Sequence, residues 1–587
     1  MLTGVVGRVR VRGPAGARRD GGHALPGSPP RRRLVRALAL AVALAALFLL
    51  ALGQSRTVAA NSDGAASVLQ AQAMLHGNPL LVGWWTSDVS FFTTELPEYA
   101  LVVAAHGVSP GVVHICGALT YTLTLALAAL LARGSAAGPA GLGRAGLTVG
   151  IMLAPSILGG TDVFLENPDH FGTSAPILLL LLLLDWGYQP ARRERPAARW
   201  YVAAVACVLL AWTQFGDELS LVAATVPVAA VCACRLAAAA VRRRPAAGQA
   251  AARLRAVLRG LREDGPLLAA AIASAGLAWL AQQAIAALGG FDLRPIPGGR
   301  LAPLGQVPGN ARVLWQSIVL LFGANGPGPP RQAITRSQHV PLVLMMDLHV
   351  IGLALAVAGL AAGIAAGFCC WFGAAGDRVT QILVAAIVAT MAAGVFGSVL
   401  RSLSSAHEVA VLLPLAAVLA GRTLPPLLPE RARLARAATV ALVVWLALGA
   451  AEMGDAAMWP AGAMPVQTVA DWLIAHHQRD GLAAYWQGAQ TTVTTGGRVL
   501  VAPVTDVAAA PVRWNASSQW YWRGLHRATF VIAQAHPPQP EDSLAVAAVR
   551  ARFGPPAAEY HVGQDIIMTY GYNLLTRVSG AAFPGLS

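Results

Sequence analysis

The chain has 587 residues, 56% of them hydrophobic and 12% charged, with a mean hydropathy of +0.56. So little charge cannot cover the surface of a water-soluble protein of this size, so the expected solvent is a bilayer. The net charge of +15 comes from 43 basic residues, all arginine, set in short loops between apolar runs, which fits membrane orientation and argues against a nucleic-acid partner.

Residues 1–33 are rich in Arg, Gly and Pro and read as a disordered cytoplasmic tail. The first apolar run, 34–52, is longer than a signal-peptide core. Val58-Ala59-Ala60 has the form of a cleavage site, but an uncleaved anchor is the favoured reading. Further apolar runs centre on 111–131, 145–158, 173–184, 201–212, 219–236, 266–288, 343–368, 382–400, 409–420 and 437–450. At roughly 20 residues per crossing, these predict about eleven transmembrane helices within residues 34–455. The six cysteines lie in or beside these runs without flanking metal ligands, and they read as packing residues.

With the N-terminus inside, the inner loops hold Arg133 and Arg144; Arg192, Arg193 and Arg195; Arg242, Arg243, Arg244, Arg253, Arg255 and Arg259; and Arg422, Arg431, Arg433 and Arg436. The outer loops hold Asp63, Asp88, Glu95 and Glu98; Asp162, Glu166 and Asp169; and Asp217 and Glu218. One sign pattern thus runs through every loop, and an odd number of crossings leaves the segment after Met458 outside. That segment, 456–587, carries six of the 15 tryptophans, three alternating apolar strands (498–504, 528–533, 565–570) and an amphipathic helix (466–477). It reads as a small extracytoplasmic α/β domain.

The most informative loop follows the first run. Asn61-Ser62-Asp63 opens a helix that ends at Gly77 and is expected to lie along the outer interface, with Asp63 either a cap or a functional acid. Downstream, Trp84, Trp85, Phe91, Phe92 and Tyr99 alternate with Asp88, Glu95 and Glu98. Rings beside carboxylates suit a sugar, and they equally suit an aromatic belt at the membrane surface.

The order of Asp63, the Met74-Leu75-His76-Gly77-Asn78 helix end and Glu95-Leu96-Pro97-Glu98-Tyr99 resembles the first outer loop of C-type (GT-C) membrane glycosyltransferases. The resemblance, with a bacterial protein implied, extends loosely over residues 34–450. It implies a GT-C-like α-helical polytopic membrane protein of the cell membrane. Such a protein takes sugar from a polyprenyl-phosphate carrier and delivers it to a glycan, lipid or protein acceptor of the cell envelope. It places on Asp63 the role of catalytic base or of orienting the acceptor, with base the favoured choice, and the second acidic loop, Asp162, Glu166, Asp169 and His170, joins Asp88, Glu95 and Glu98 as expected substrate contacts. Gly64 stands where many relatives carry a second acid, which leaves a divalent metal open; no metal ligand and no cofactor are assigned.

A departing lipid phosphate calls for a fixed cation, and Arg401 is the first choice, then Arg331 and Arg336. His407 accompanies Arg401 as a possible phosphate contact or as a partner for Glu408. Asp217-Glu218 reads as a charged turn at a helix end that becomes functional only if recessed, and Asp347 and His349 follow the same rule. Asn515-Ala516-Ser517 has the form of a glycosylation acceptor and carries no weight here. A secondary transporter or a silent scaffold with an outer binding domain are the alternatives. The absence of an internal repeat and the placing of acids at span ends speak against the first.

Overall fold

The computed structural model describes residues 30–157, 159–188, 196–241, 250–294, 301–324, 342–371, 377–427, 432–505, 508–540 and 542–579. Most of the expected tail, together with Arg331 and Arg336, lies outside these residues. The chain divides into two compact units, Met1–Ala46 and Leu47–Ser587. The second contains both the bundle and the C-terminal sheet.

The helices run in order as α1 (Pro30–Ser55), α2 (Ser62–Leu75), α3 (Leu96–His106), α4 (Pro110–Arg133), α5 (Gly138–Met152) and α6 (Gly160–Phe164). Then come α7 (Ser174–Gly187), α8 (Pro196–Gly216), α9 (Val226–Val241, entered through a π-turn), α10 (Ala250–Ala287), α11 (Val307–Leu321) and α12 (Leu342–Trp371). The bundle closes with α13 (Arg378–Phe396), α14 (Leu412–Thr423) and α15 (Ala432–Ala457). Proline in the first turn starts α3, α4, α5 and α11, where a missing N–H costs nothing.

Among the described residues seven helices, α1, α4, α9, α10, α12, α13 and α15, are long and apolar enough to cross a membrane. The 3-10 turn Leu403–Val409 and α14 meet at 52° and make an eighth if they form one broken span. The sequence predicts about eleven crossings, and shorter helices also run between the two ends of the bundle: α7 leads from the His170 loop to Asp185, and α14 from the His407 turn to Arg422. All eleven apolar runs are helical, but α5 and α7 have only 15 and 14 residues, and α8 also falls outside the set. The long loop expected after 288 contains a further helix, α11. The protein is a multi-pass membrane protein with a mainly helical body.

Lipid supplies no hydrophobic drive between helices, so close packing holds them. Leu131, Leu178, Leu184, Leu383, Leu415 and Leu419 are buried at the centre. A Cβ on Gly421 would lie 2.6 Å from the Arg144 carbonyl oxygen, so only glycine lets α14 come this near α5. At the end bearing Arg133 and Arg422, acids and arginines from different helices are paired. Arg378 and Arg235 both reach Asp264 (2.6 and 3.2 Å), and Arg422 reaches Asp185 and Asp377 at 2.8 Å each.

The opposite end carries the loops and the C-terminal layer: α16 (Gln467–Ala475), α17 (Tyr485–Thr494), α18 (Val546–Phe553) and a six-stranded mixed sheet. Its strands, after β1 (Trp84–Trp85) in the first loop, are β2 (Asp480–Ala483), β3 (Leu500–Pro503), β5 (Ala528–Gln534), β6 (Leu544–Ala545), β7 (Ala558–Val562) and β8 (Asp565–Thr569). The order is β3-β2-β5-β8-β7, with β6 beside β5. The three strands and the helix expected from sequence are β3, β5, β8 and α16; the rest of the layer was not anticipated.

This layer is sewn to the bundle. β1 pairs antiparallel with β4 (Ala516–Ser517), and Ala489 and Val493 of α17 share an apolar cluster with Ala65, Val68 and Leu69 of α2. Trp84 and Trp85 therefore work as a strand, with Trp84 packed edge-on against Trp520, rather than as a belt.

Candidate active site

Asn61, not Asp63, caps α2: its side chain accepts the Gly64 N–H at 2.8 Å. That releases the half-buried Asp63 carboxylate for other partners. Its Oδ1 accepts from the Tyr485 hydroxyl and from the Asn515 amide at 3.2 Å. Among the described residues Oδ2 receives no hydrogen bond. Burial, with the nearby Asp169 charge, raises the Asp63 carboxyl above the ordinary aspartate value; Tyr485, Asn515 and His407 oppose this.

The second acidic loop folds beneath it. His170 is buried with a left-handed backbone (φ 53°), a rare state for a non-glycine residue that points to a constrained site. Its Nδ1 meets Asp217 Oδ2 at 3.0 Å, and Asp217 also accepts from Thr173 Oγ1 at 2.7 Å and Leu219 N–H at 2.9 Å. Asp217 is 1% exposed, so the turn is recessed and the reading of it as a solvated turn is corrected. Burial pushes Asp217 up, but His170, Thr173 and the Leu219 N–H outweigh it and hold the carboxyl low. Burial opposes a proton on His170, yet the carboxylates of Glu408, Asp217 and Asp169 raise it well above the usual histidine value.

The turn before α14 completes the cluster. The His407 ring stacks on His170 with centroids 5.6 Å apart. Glu408 lies 3.4 Å from His170 Nε2 and 3.8 Å from His407 Nε2, and Asp169 lies 3.9 Å from each histidine's Nε2. Ligand atoms of His170, His407 and Glu408 fall within 4.8 Å of one another. A tetrahedral ion with bonds of about 2.1 Å has ligand–ligand edges of roughly 3.4 Å, close to the 3.4 and 3.8 Å that separate Glu408 from the two imidazoles. Asp217 on Nδ1 turns His170 Nε2 toward the other ligands. Two imidazoles and a carboxylate fit a divalent transition metal.

Glu95 is buried under this cluster, takes the Thr94 hydroxyl on one oxygen, and leaves Oε1 without a partner. Burial pushes its carboxyl well above the glutamate range. Gly172 makes room: a Cβ there would sit 2.5 Å from Glu95 Oε1.

These groups border one cavity of about 580 Å³, within the range of small-ligand sites. Of the residues expected from sequence, Asp63, Asp88, Glu95, Asp169, His170 and His407 line it. Glu98, Asp162, Glu166 and Arg401 do not. Glu98 turns back to Thr120 (2.7 Å), and Arg401 is exposed and bonds the Ser398 carbonyl of its own loop at 3.1 Å. Among the described residues the arginine that lines the cavity is Arg294, which follows α10 and rests over the Trp514 ring at 5.6 Å. Sequence reasoning missed Arg294, and gave no role to Tyr485, Trp486 or Asn515, which also line the cavity. Asn515 was legible only as a glycosylation triplet, and Glu408 only as a neighbour of His407.

No protein-family model matches this chain, and no curated protein matches it. Among solved structures it aligns with an Archaeoglobus fulgidus oligosaccharyltransferase tethered to an acceptor peptide containing the NVT sequon. The alignment covers 84% of this chain and 69% of that one, at 10% identity and a TM-score of 0.42. A likeness this distant carries no residue role across.

Proposed function

We propose that the protein is a membrane glycosyltransferase that moves a sugar from a polyprenyl-phosphate donor to a hydroxyl of an outer-leaflet or cell-envelope acceptor. The observation that carries this reading is convergence. Asp63, the Asp169–His170 loop and the His407–Glu408 turn lie far apart in sequence, yet they border one cavity on the end of the bundle that holds the sheet. The resemblance of the first loop to GT-C enzymes points the same way. The arginine-rich loops of the sequence, read by the positive-inside rule, support a cytoplasmic N-terminus and a cavity on the outer side of the cell membrane.

In this reading the acceptor O–H gives its proton to Asp63 Oδ2 as its oxygen attacks the anomeric carbon. The bond from that carbon to the phosphate oxygen breaks, and the phosphate leaves with the electron pair. Configuration inverts. Desolvation suits Asp63 to the task, because a raised carboxyl is a stronger base. Arg294, rather than Arg401, is the cation placed to receive a phosphate oxygen. His170, His407 and Glu408 would hold a divalent metal, with Asp169 beside them, and that ion would offset charge on the departing phosphate.

The test uses the full chain in nanodiscs with radiolabelled polyprenyl-phosphate sugars and envelope extract as acceptor. Wild type is expected to transfer label, and Asp63→Asn to lose about 10²- to 10⁴-fold in rate while keeping its melting temperature. Chelation is expected to suppress transfer, and Mn²⁺ to restore it. An Asp63→Asn protein that turns over at the wild-type rate removes Asp63 as the base.

A further inference from the structure

We infer that Tyr485 and Asn515 are positioning residues for Asp63, so that the C-terminal layer completes the proton acceptor that the bundle supplies. This rests on the reading of Asp63 as the base. Both donors converge on Oδ1, which fixes the carboxylate plane and leaves Oδ2 as the oxygen presented to the cavity. A carboxylate with both oxygens free would rotate, and a base that rotates forfeits part of the benefit of orientation.

Each donor is itself held. Tyr485 opens α17 with its ring edge-on to Trp486, centroids 5.2 Å apart. Burial and the Asp63 charge raise its hydroxyl well above the usual tyrosine value, so it stays a donor. Asn515 has a left-handed backbone (φ 45°), tolerated by Asn better than by most residues. Its Oδ1 accepts the Ser87 N–H at 3.1 Å, which orients the amide so that Nδ2 faces Asp63. One asparagine thus ties the first loop and the acid together.

Docking of the layer does not depend on these two bonds. Ser62 Oγ donates to the Trp486 carbonyl at 2.8 Å, β1 pairs with β4, and the Ser518 N–H reaches the Gly83 carbonyl at 2.8 Å. The apolar contact of α17 with α2 is also independent of them. A structural clamp would therefore be redundant here, whereas an orienting pair would not.

The experiment is a double-mutant cycle on the full chain in nanodiscs, with the same donor and acceptor. Tyr485→Phe keeps the ring and removes only the hydroxyl; Asn515→Gly removes the amide and suits the backbone. Each is expected to lower kcat about 10- to 100-fold with KM unchanged, and to have no further effect on the residual rate of Asp63→Asn. The inference is overturned if Tyr485→Phe has wild-type kcat, or if it slows the Asp63→Asn protein as much as it slows wild type. A fully active Asp63→Asn protein would instead overturn the assignment of the base.

Discussion

The two ends of the bundle treat their acids in opposite ways. At the arginine-bearing end, Asp264, Asp185 and Asp377 each take a guanidinium from another helix, and Arg378 also lies 3.7 Å over the Tyr188 ring. At the sheet-bearing end, Asp63, Asp169, Asp217 and Glu95 face hydroxyls, an amide and two histidines, with Arg294 as the arginine on the cavity wall. An acid matched to arginine has its charge spent on holding helices together. Asp63, given a phenol and an amide, and Glu95, given a hydroxyl, keep a raised affinity for a proton. The same residue type is tied to arginine at one end and left free of it at the other among the described residues.

The sharpest way to break this contrast is to bring an arginine to the wrong end. Ser67 lines the cavity one turn after Asp63 on α2, a spacing at which Asp and Arg pair. Ser67→Arg is expected to cut transfer by about 10²-fold or more while leaving the melting temperature equal or higher, because it lowers the basicity of Asp63 and fills the cavity. Unimpaired transfer in that variant would deny that the acids must stay free of arginine.

At the other end the effect should fall on stability. Arg378→Ala leaves Asp264 with only Arg235 and is expected to cost about 3 kcal/mol, read as a lower midpoint of thermal or denaturant unfolding in detergent. The specific activity of the folded fraction should be unchanged. Lost activity without lost stability would blur the distinction between the ends.

The smallest effect concerns Glu98, near the cavity but outside it. Burial raises its carboxyl from 4.5 to about 7, so between those values the folded protein keeps a proton that the unfolded chain has released. Stability contributed below pH 4.5 is therefore lost as pH rises through about 7. Glu98→Gln removes that loss, and its melting temperature relative to wild type should be higher at pH 8 than at pH 5. An equal difference at both pH values would mean that Glu98 ionises normally.

Hydropathy located every helix of the bundle that was expected, because twenty apolar residues in a row admit few other structures. A run of apolar residues does not reveal where the helix stops, as the short α5 and α7 illustrate. Asp63, Asp169, His170 and His407 were legible from residue type and loop membership. Asp217 was not, since a charge at a helix end looks solvated until the loop that covers it is placed. Arg401 was chosen over Arg294 for the same reason: sequence names the loop and not the side chain's direction. The hardest contact to foresee was Tyr485 on Asp63, which joins residues 422 positions apart.

That separation has a consequence for how the protein is made. During synthesis the acid of α2 enters the membrane surface hundreds of residues before its phenol and amide partners leave the ribosome. A stalled or truncated chain can insert its helices and still carry an unfinished centre. The carboxylate of Asp63 therefore acquires its two donors only after residue 515 has been made.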